Sequence, residues 1–412
     1  MKIAQIAPPW IPVPPKNYGG TETVIAHLVE ELVALKHEVT LFAPADSNTS
    51  AELVSFFPHS LADEGVPWEA HLKAAYHIFK SIEYIKSHHF DIVHIHLSSP
   101  ADMYAFPLAT SLTTPVVATL HSRFPFDHAQ SSQDSTWTGD ADEYYMEWLS
   151  SVPMVAISKS ARAEVSYPLH FVGVVPHGLP MDVFKPMAEQ PENFLAWLGR
   201  FSPDKGAHIA IQAAKDANMS LVLAGIIDDQ IPEQVTYFEE MVKPHIDEKQ
   251  ISYIGPVNEE QKIDLLSRAK GFLNPIEWEE PFGMVMIEAM SVGCPVISFT
   301  RGAVPEVVAD GISGFLVQDV QEMVQSVARL DELDRQKVRA YATKKFSVHA
   351  MARNYLKIYQ KVIASDQLES SLSHLPIPNK ALESLIKSFP VSIESTDPVA
   401  SVFRPPTGPI TQ

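Results

Sequence analysis

Cysteine is nearly absent from this sequence: Cys294 is the single one among 412 residues. One thiol cannot close an internal disulfide, which excludes a stapled secretory scaffold and suits a reducing compartment. Long apolar runs are missing as well. No stretch reaches the ~20 residues that a bilayer-spanning helix requires, and Met1-Lys2-Ile3-Ala4 leads straight into strand-like sequence rather than a signal peptide. The expectation is a cytoplasmic protein with no transmembrane segment. Basic residues are outnumbered, with 31 Lys and Arg against 50 Asp and Glu and a formal charge of −19. Such a field repels polyanions, so nucleic acid is not an expected partner. The G-x-G-x-x-G fingerprint of dinucleotide-binding units does not occur, which argues against a nicotinamide oxidoreductase. No His or Cys recurs with carboxylates at ligand spacing, so no metal is expected.

What is present is globular in composition, with 46% hydrophobic and 20% charged residues. The chain is long enough for two or three domains. Short apolar runs at Lys2–Ala7, Val39–Ala43, Asp91–His96, Val116–Leu120 and Val155–Ile157 alternate with helical sequence. One such helix opens near Thr21 and carries Val24, Ile25, Leu28, Leu32 and Leu35 at helical spacing. A second series follows a Pro-rich break, at Phe194–Leu198, Leu221–Ala224, Ile251–Ile254, Phe272–Asn274, Val296–Ser298 and Phe315–Val317. Apolar strands separated by helices imply parallel sheets covered on both faces. The expected architecture is α/β: two Rossmann-like, doubly wound domains, residues 1–185 and 186–346. A helix over 347–365 would cross back to the first domain, and 366–412 form a Pro/Ser-rich tail.

Ligands of such sheets sit at the carboxyl ends of the strands, and three segments there carry chemistry. In Glu280–Glu288, Gly283 allows close backbone approach and Pro281 suits a first helical position. The amides of Gly283, Met284 and Val285 would then face phosphate or sugar oxygens at a helix N-terminus. Taken alone, the same glutamates could simply complement a helix dipole. In Leu198–Gly206 a glycine turn joins a strand to a helix and carries Arg200 and Lys205, a pair suited to a diphosphate and equally readable as two solvated cations. In Tyr18–Glu22, Gly19 and Gly20 open a helix. Thirteen of the seventeen histidines precede position 185, where solvated or capping roles are the default expectation. Asp140-Ala141-Asp142 lies in a polar stretch that reads as a surface loop.

Together these segments resemble the family-four retaining glycosyltransferases of the GT-B fold, over residues 1–363. The resemblance includes the glycine loop, Thr119–His121, Ala156–Ser158, Val175–Gly178, Arg200 with Lys205, Glu280–Glu288 and Arg301–Glu306. It implies that Gly19 and Gly20 contact the donor diphosphate and that His121 lies beside the transferred sugar. Arg200 and Lys205 would neutralise the leaving group, Glu280 would hold sugar hydroxyls and Glu288 the ribose. Paired cations rather than a metal would stabilise the departing diphosphate, which is a substrate fragment and not a cofactor. Where the family often has Asn before the glycine and an acid after it, this chain has His177 and Leu179-Pro180. The function so implied is retaining transfer of a hexose, from UDP-glucose or GDP-mannose first, to a carbohydrate, small-molecule or lipid-linked acceptor; peripheral membrane contact stays open. The alternatives are a nucleotide-sugar epimerase or hydrolase of similar architecture and a non-catalytic sugar-binding protein.

Overall fold

The structure is a computed structural model that describes residues 1–16, 19–122, 149–163, 169–229 and 231–373. The chain divides into two compact units, 1–363 and 364–412. The first unit holds two parallel sheets. In chain order the first sheet comprises β1 (Lys2–Ile6), β2 (Glu38–Phe42), β3 (Glu52–Val54), β4 (Ile92–Leu97), β5 (Val116–Leu120), β6 (Met154–Ala156) and β7 (Phe171–Val174). The second comprises β8 (Phe194–Leu198), β9 (Ser220–Ala224), β10 (Ile251–Tyr253), β11 (Gly271–Asn274), β12 (Val296–Phe299) and β13 (Gly314–Val317). Their spatial orders are β3-β2-β1-β4-β5-β6-β7 and β10-β9-β8-β11-β12-β13. The order therefore reverses between β1 and β4 in one sheet and between β8 and β11 in the other. A crevice opens at such reversals because successive crossovers leave on opposite faces.

The strands form because β-branched and aromatic residues run unbroken through them, as in Ile92–Leu97, where all six residues are buried. Parallel strands covered on both faces tolerate such runs. Every strand named from the sequence is present within one residue of its expected bounds. Two were missed, β3 and β7, which lie at the edge of the sheet and are only partly buried. β3 is only three residues, Glu52-Leu53-Val54, and β7 is an apolar run interrupted by Gly173, which weakens a strand reading.

The helix that opens at Gly20 runs to Ala34 and packs Val24, Ile25, Leu28 and Leu32 on the first sheet. The last helix covers Val348–Ser373, longer than its expected extent. Met351, Tyr355, Ile358, Tyr359 and Val362 of that helix belong to the core cluster of the first sheet, together with Ile3, Leu41 and Val117. Gly178 explains the tight crossing of the linkers. A Cβ there would lie 2.6 Å from the Ser347 carbonyl oxygen, and Leu179 exchanges backbone hydrogen bonds with Phe346 and Val348.

Candidate active site between the two sheets

The site residues follow the carboxyl ends of β1 and β5 in the first sheet and of β8 and β11, which flank the reversal, in the second. Gly19 and Gly20 follow β1, and His121 follows β5 directly. Arg200 and Lys205 follow β8, and Glu280 and Gly283 follow β11. Contacts join the two halves there. Ser158 Oγ donates to the Pro281 carbonyl (2.7 Å), and the Lys159 and Ser160 amides donate to the Glu306 carboxylate (2.8 and 2.7 Å). Met284 packs against the core clusters of both sheets.

On the second sheet, Lys205 Nζ lies 2.9 Å from Glu280 Oε2, with side-chain exposures of 24% and 11%. The same ammonium sits 4.6 Å above the Trp278 ring, a face whose quadrupole attracts cations. Trp197 Nε1 donates to the Lys205 carbonyl and fixes the turn (3.1 Å). Gly206, at φ 69°, has no room for a Cβ, which would fall 2.0 Å from the Pro275 carbonyl oxygen. Arg200 is half-buried, and its Nε is sequestered from solvent without a hydrogen-bond partner. A guanidinium with an unmet donor is suited to an anion.

The glutamate segment differs from its expected form in one respect. The helix spans Met284–Ser291 with Gly283 as its N-cap at φ 86°, so Pro281 stands before the helix rather than at its first position. Glu288 is consequently one turn inside the helix. The left-handed Gly283 is what delays the start, since its backbone is not helical. No side chain caps the helix, leaving its first amides oriented for oxygen ligands. Gly302 buttresses the turn from behind: a Cβ there would lie 2.4 Å from the Glu280 amide nitrogen and carbonyl oxygen. Glu288 is buried and accepts from Lys262 Nζ at 2.5 Å. Lys262 was not singled out from the sequence, and on the charged helix Glu259–Arg268 nothing marks it among its neighbours.

On the first sheet, Gly20 begins its helix with no side-chain cap, and a Cβ at Gly20 would meet nothing within 4 Å. Tyr18 of that loop lies outside the described residues, as do Asp140, Asp142 and the tail beyond 373. His121 is buried, and its Nε2 lies 2.9 Å from His96 Nδ1. Its ring stacks on His177 at 5.2 Å, and His177 in turn meets Phe282 edge-on at 4.8 Å. The solvated default for the histidines is thus corrected for five of them: His77, His94, His96, His121 and His177 are buried. Burial disfavours the imidazolium, lowering His77 to about 4 and His177 to about 3, and His94, His96 and His121 well below the usual range. Gln5, in the middle of apolar β1, is a further polar group on this floor. A lone polar residue inside a buried strand is the signal that would have found it.

Among the described residues no three of His, Cys, Asp and Glu group as a metal site requires. The second sheet offers fixed positive charge beside an uncapped helix start, and the buried imidazoles of the first sheet meet it through His177 against Phe282.

A family model for Glycosyltransferase Family 4 matches residues 18–182, and one for Glycosyl transferases group 1 matches residues 182–345. The spore coat protein SA of Bacillus subtilis (strain 168) is 25% identical, over 88% of this chain and 100% of its own length. Sucrose-phosphate synthase from Thermosynechococcus elongatus superposes with a TM-score of 0.69 at 19% identity, covering 88% of this chain and 99% of that one. Anabaena HepE, solved in complex with UDP-glucose, superposes at 0.63 with 17% identity, covering 88% and 100%. These two structures share the fold, and the two family models abut at the linker between the sheets. The chain belongs to the family-four, group 1 glycosyltransferases of the GT-B fold.

Proposed function

We propose that this enzyme transfers a hexose from a nucleoside-diphosphate sugar to an acceptor with retention of anomeric configuration, using no metal ion. The observation that carries the reading is the Lys205–Glu280 pair at 2.9 Å beside the uncapped helix at Met284, with the unmet Arg200 donor on the neighbouring strand end.

Breaking the anomeric bond builds positive charge on the sugar and negative charge on the departing diphosphate. Arg200 and Lys205 stabilise the second, together with the amides of Met284 and Val285 and those of Gly19 and Gly20. Losing one such preorganised donor costs ~10²–10³ in turnover at comparable oxyanion sites. When the donor arrives, its phosphates compete with Glu280 for Lys205, which frees that carboxylate for sugar hydroxyls. Glu288 exchanges Lys262 for the ribose diol in the same way. With no nucleophile assigned on the far face of the sugar, the leaving phosphate takes the acceptor proton and transfer proceeds on the front side. UDP-glucose is the first donor to test, since HepE was solved with it, and GDP-mannose the second.

The decisive measurement is the anomeric configuration of the product by NMR, in a reaction with and without EDTA. An α-linked product from an α-linked donor, formed equally with chelator, is expected; an inverted product or full dependence on added metal would overturn the reading. Turnover of donor alone at the full rate would instead mark a hydrolase or epimerase.

A further inference from the structure

The buried polar network under the first sheet ends at His121, and its hydrogen bonds have a direction. Gln5 Nε2 donates to the Tyr359 hydroxyl (3.0 Å), and Gln5 Oε1 lies 2.8 Å from His96 Nε2. A carbonyl oxygen only accepts, so His96 carries its proton on Nε2. Its Nδ1 then holds a lone pair, and the nitrogen 2.9 Å away, His121 Nε2, supplies the proton between them. His121 Nδ1 is left as a bare acceptor, buried and without a partner.

The other branch closes consistently. Tyr359, having accepted from Gln5, donates to His94 Nδ1 (2.7 Å), and His94 Nε2 donates to Thr119 Oγ1 (2.7 Å). Thr119 donates in turn to the Tyr355 hydroxyl (3.1 Å). Turning the Gln5 carboxamide over would reverse every bond and leave His121 with an N–H at Nδ1 that faces no acceptor. A buried donor without a partner is rarer than an under-satisfied acceptor, which selects the first arrangement. Burial keeps His94, His96 and His121 neutral at neutral pH, so each ring carries one proton and the relay has one sense. Gln5 and His96 are 0% and 1% exposed, so bulk solvent does not reach them.

We propose that Gln5 and His96 are positioning residues that hold His121 as its Nε2–H tautomer, so that Nδ1 accepts a hydrogen bond from a hydroxyl of the transferred sugar. This rests on the reading above that His121 lies beside that sugar. It narrows the donor class to sugars with a hydroxyl at that position. A sugar deoxy there would leave the acceptor unmet. Sites built to hydrogen-bond a hydroxyl reject the analogue lacking it strongly.

The test begins without any donor, on full-length protein labelled with ¹⁵N-histidine, with His121→Gln to assign the signal. The expected spectrum shows His121 protonated on Nε2; protonation on Nδ1 overturns the proposal. In Gln5→Met the His96 and His121 tautomers should mix and kcat/KM should fall about tenfold or more, by analogy with the hydrogen-bond partners that orient metal-bound histidines. Gln5→Glu, a buried acid that when neutral can donate to Tyr359 and accept from His96 as the carboxamide does, should restore the tautomer and part of the activity. An unchanged tautomer in Gln5→Met would reduce Gln5 to packing and overturn the relay. Mono-deoxy donors complete the test: one hydroxyl should matter to the wild type and much less to Gln5→Met, and equal losses in both count against it. If no donor supports transfer, the proposed function fails while the NMR result still decides the tautomer.

Discussion

At the scale of single residues, the site depends on charges that are paired while the donor is absent. Lys205 and Glu280 are each other's partners at 2.9 Å and only partly exposed, so removing one leaves the other desolvated and unpaired. Lys205→Met should therefore lower both the melting temperature and turnover, the latter by ~10²–10³. Adding Glu280→Gln to Lys205→Met should recover part of the melting temperature and none of the activity, because the orphaned carboxylate is gone but the diphosphate still lacks its cation. Thermal melts and steady-state kinetics on the two single variants and the double variant check this. Additive melting shifts would mean that the pair is not coupled. Arg200 differs, since its unmet Nε donor has no internal rival.

At the scale of elements, the site is assembled by loops whose ends are pinned by other segments. Gly283 at φ 86° starts the Met284–Ser291 helix late and aims its amides outward, while Gly302 presses against the backbone of Glu280. Across the interface, Glu306 accepts from the amides of Lys159 and Ser160, and Ser158 donates to Pro281. This clasp joins a helix start of the first sheet to the short helix Val304–Val307 and the Pro281 loop of the second. Glu306→Ala should loosen it, each charge-assisted hydrogen bond contributing on the order of 1–2 kcal/mol. Hydrogen exchange should accelerate at the Lys159 and Ser160 amides, with a several-fold loss of turnover as closure becomes less favourable. Unaltered exchange at those two amides would show that the clasp does not hold the halves together. The last helix is a second fastener, since Tyr355 and Tyr359 place hydroxyls in the histidine network of the first sheet.

At the scale of the whole molecule, the buried histidines set the response to acid. His27 and His77 are lowered to about 4 and His177 to about 3, each mainly by burial, and His94, His96 and His121 lie well below the ordinary value for the same reason. Unfolded histidine titrates near ~6.5. Below that pH the unfolded chain binds protons that the native state refuses, so stability is complete above about 6.5 and is lost as pH falls towards 4. Two acids oppose this: burial raises Glu22 to about 7 and Asp102 to about 6, and the native state gains from their protonation in the same range. Six groups outweigh two. Melting temperature should fall steadily from pH 6.5 to 4.5, by the equivalent of several kcal/mol at ~1.4 kcal/mol per group and pH unit, and a flat profile over that interval would contradict the buried neutral state. Replacing His77, which lies outside the relay, with Phe should flatten the slope by one group.

The sequence by itself determined the secondary structure and the order of the chemistry along it. Apolar runs such as Ile92–Leu97 and glycines such as Gly283 act locally, so strands, turns and the Arg200, Lys205 and Glu280 motifs were legible without coordinates. Edge strands β3 and β7 were not: β3 is three residues long and β7 is broken by Gly173. Only the tertiary structure decided which groups meet. Lys205 and Glu280 are 75 residues apart in sequence, Gln5 and Tyr359 are 354 apart, and Lys262 reaches Glu288 from another helix. Burial decided that these histidines are neutral, because desolvation depends on what the fold packs around a ring and not on its neighbours along the backbone.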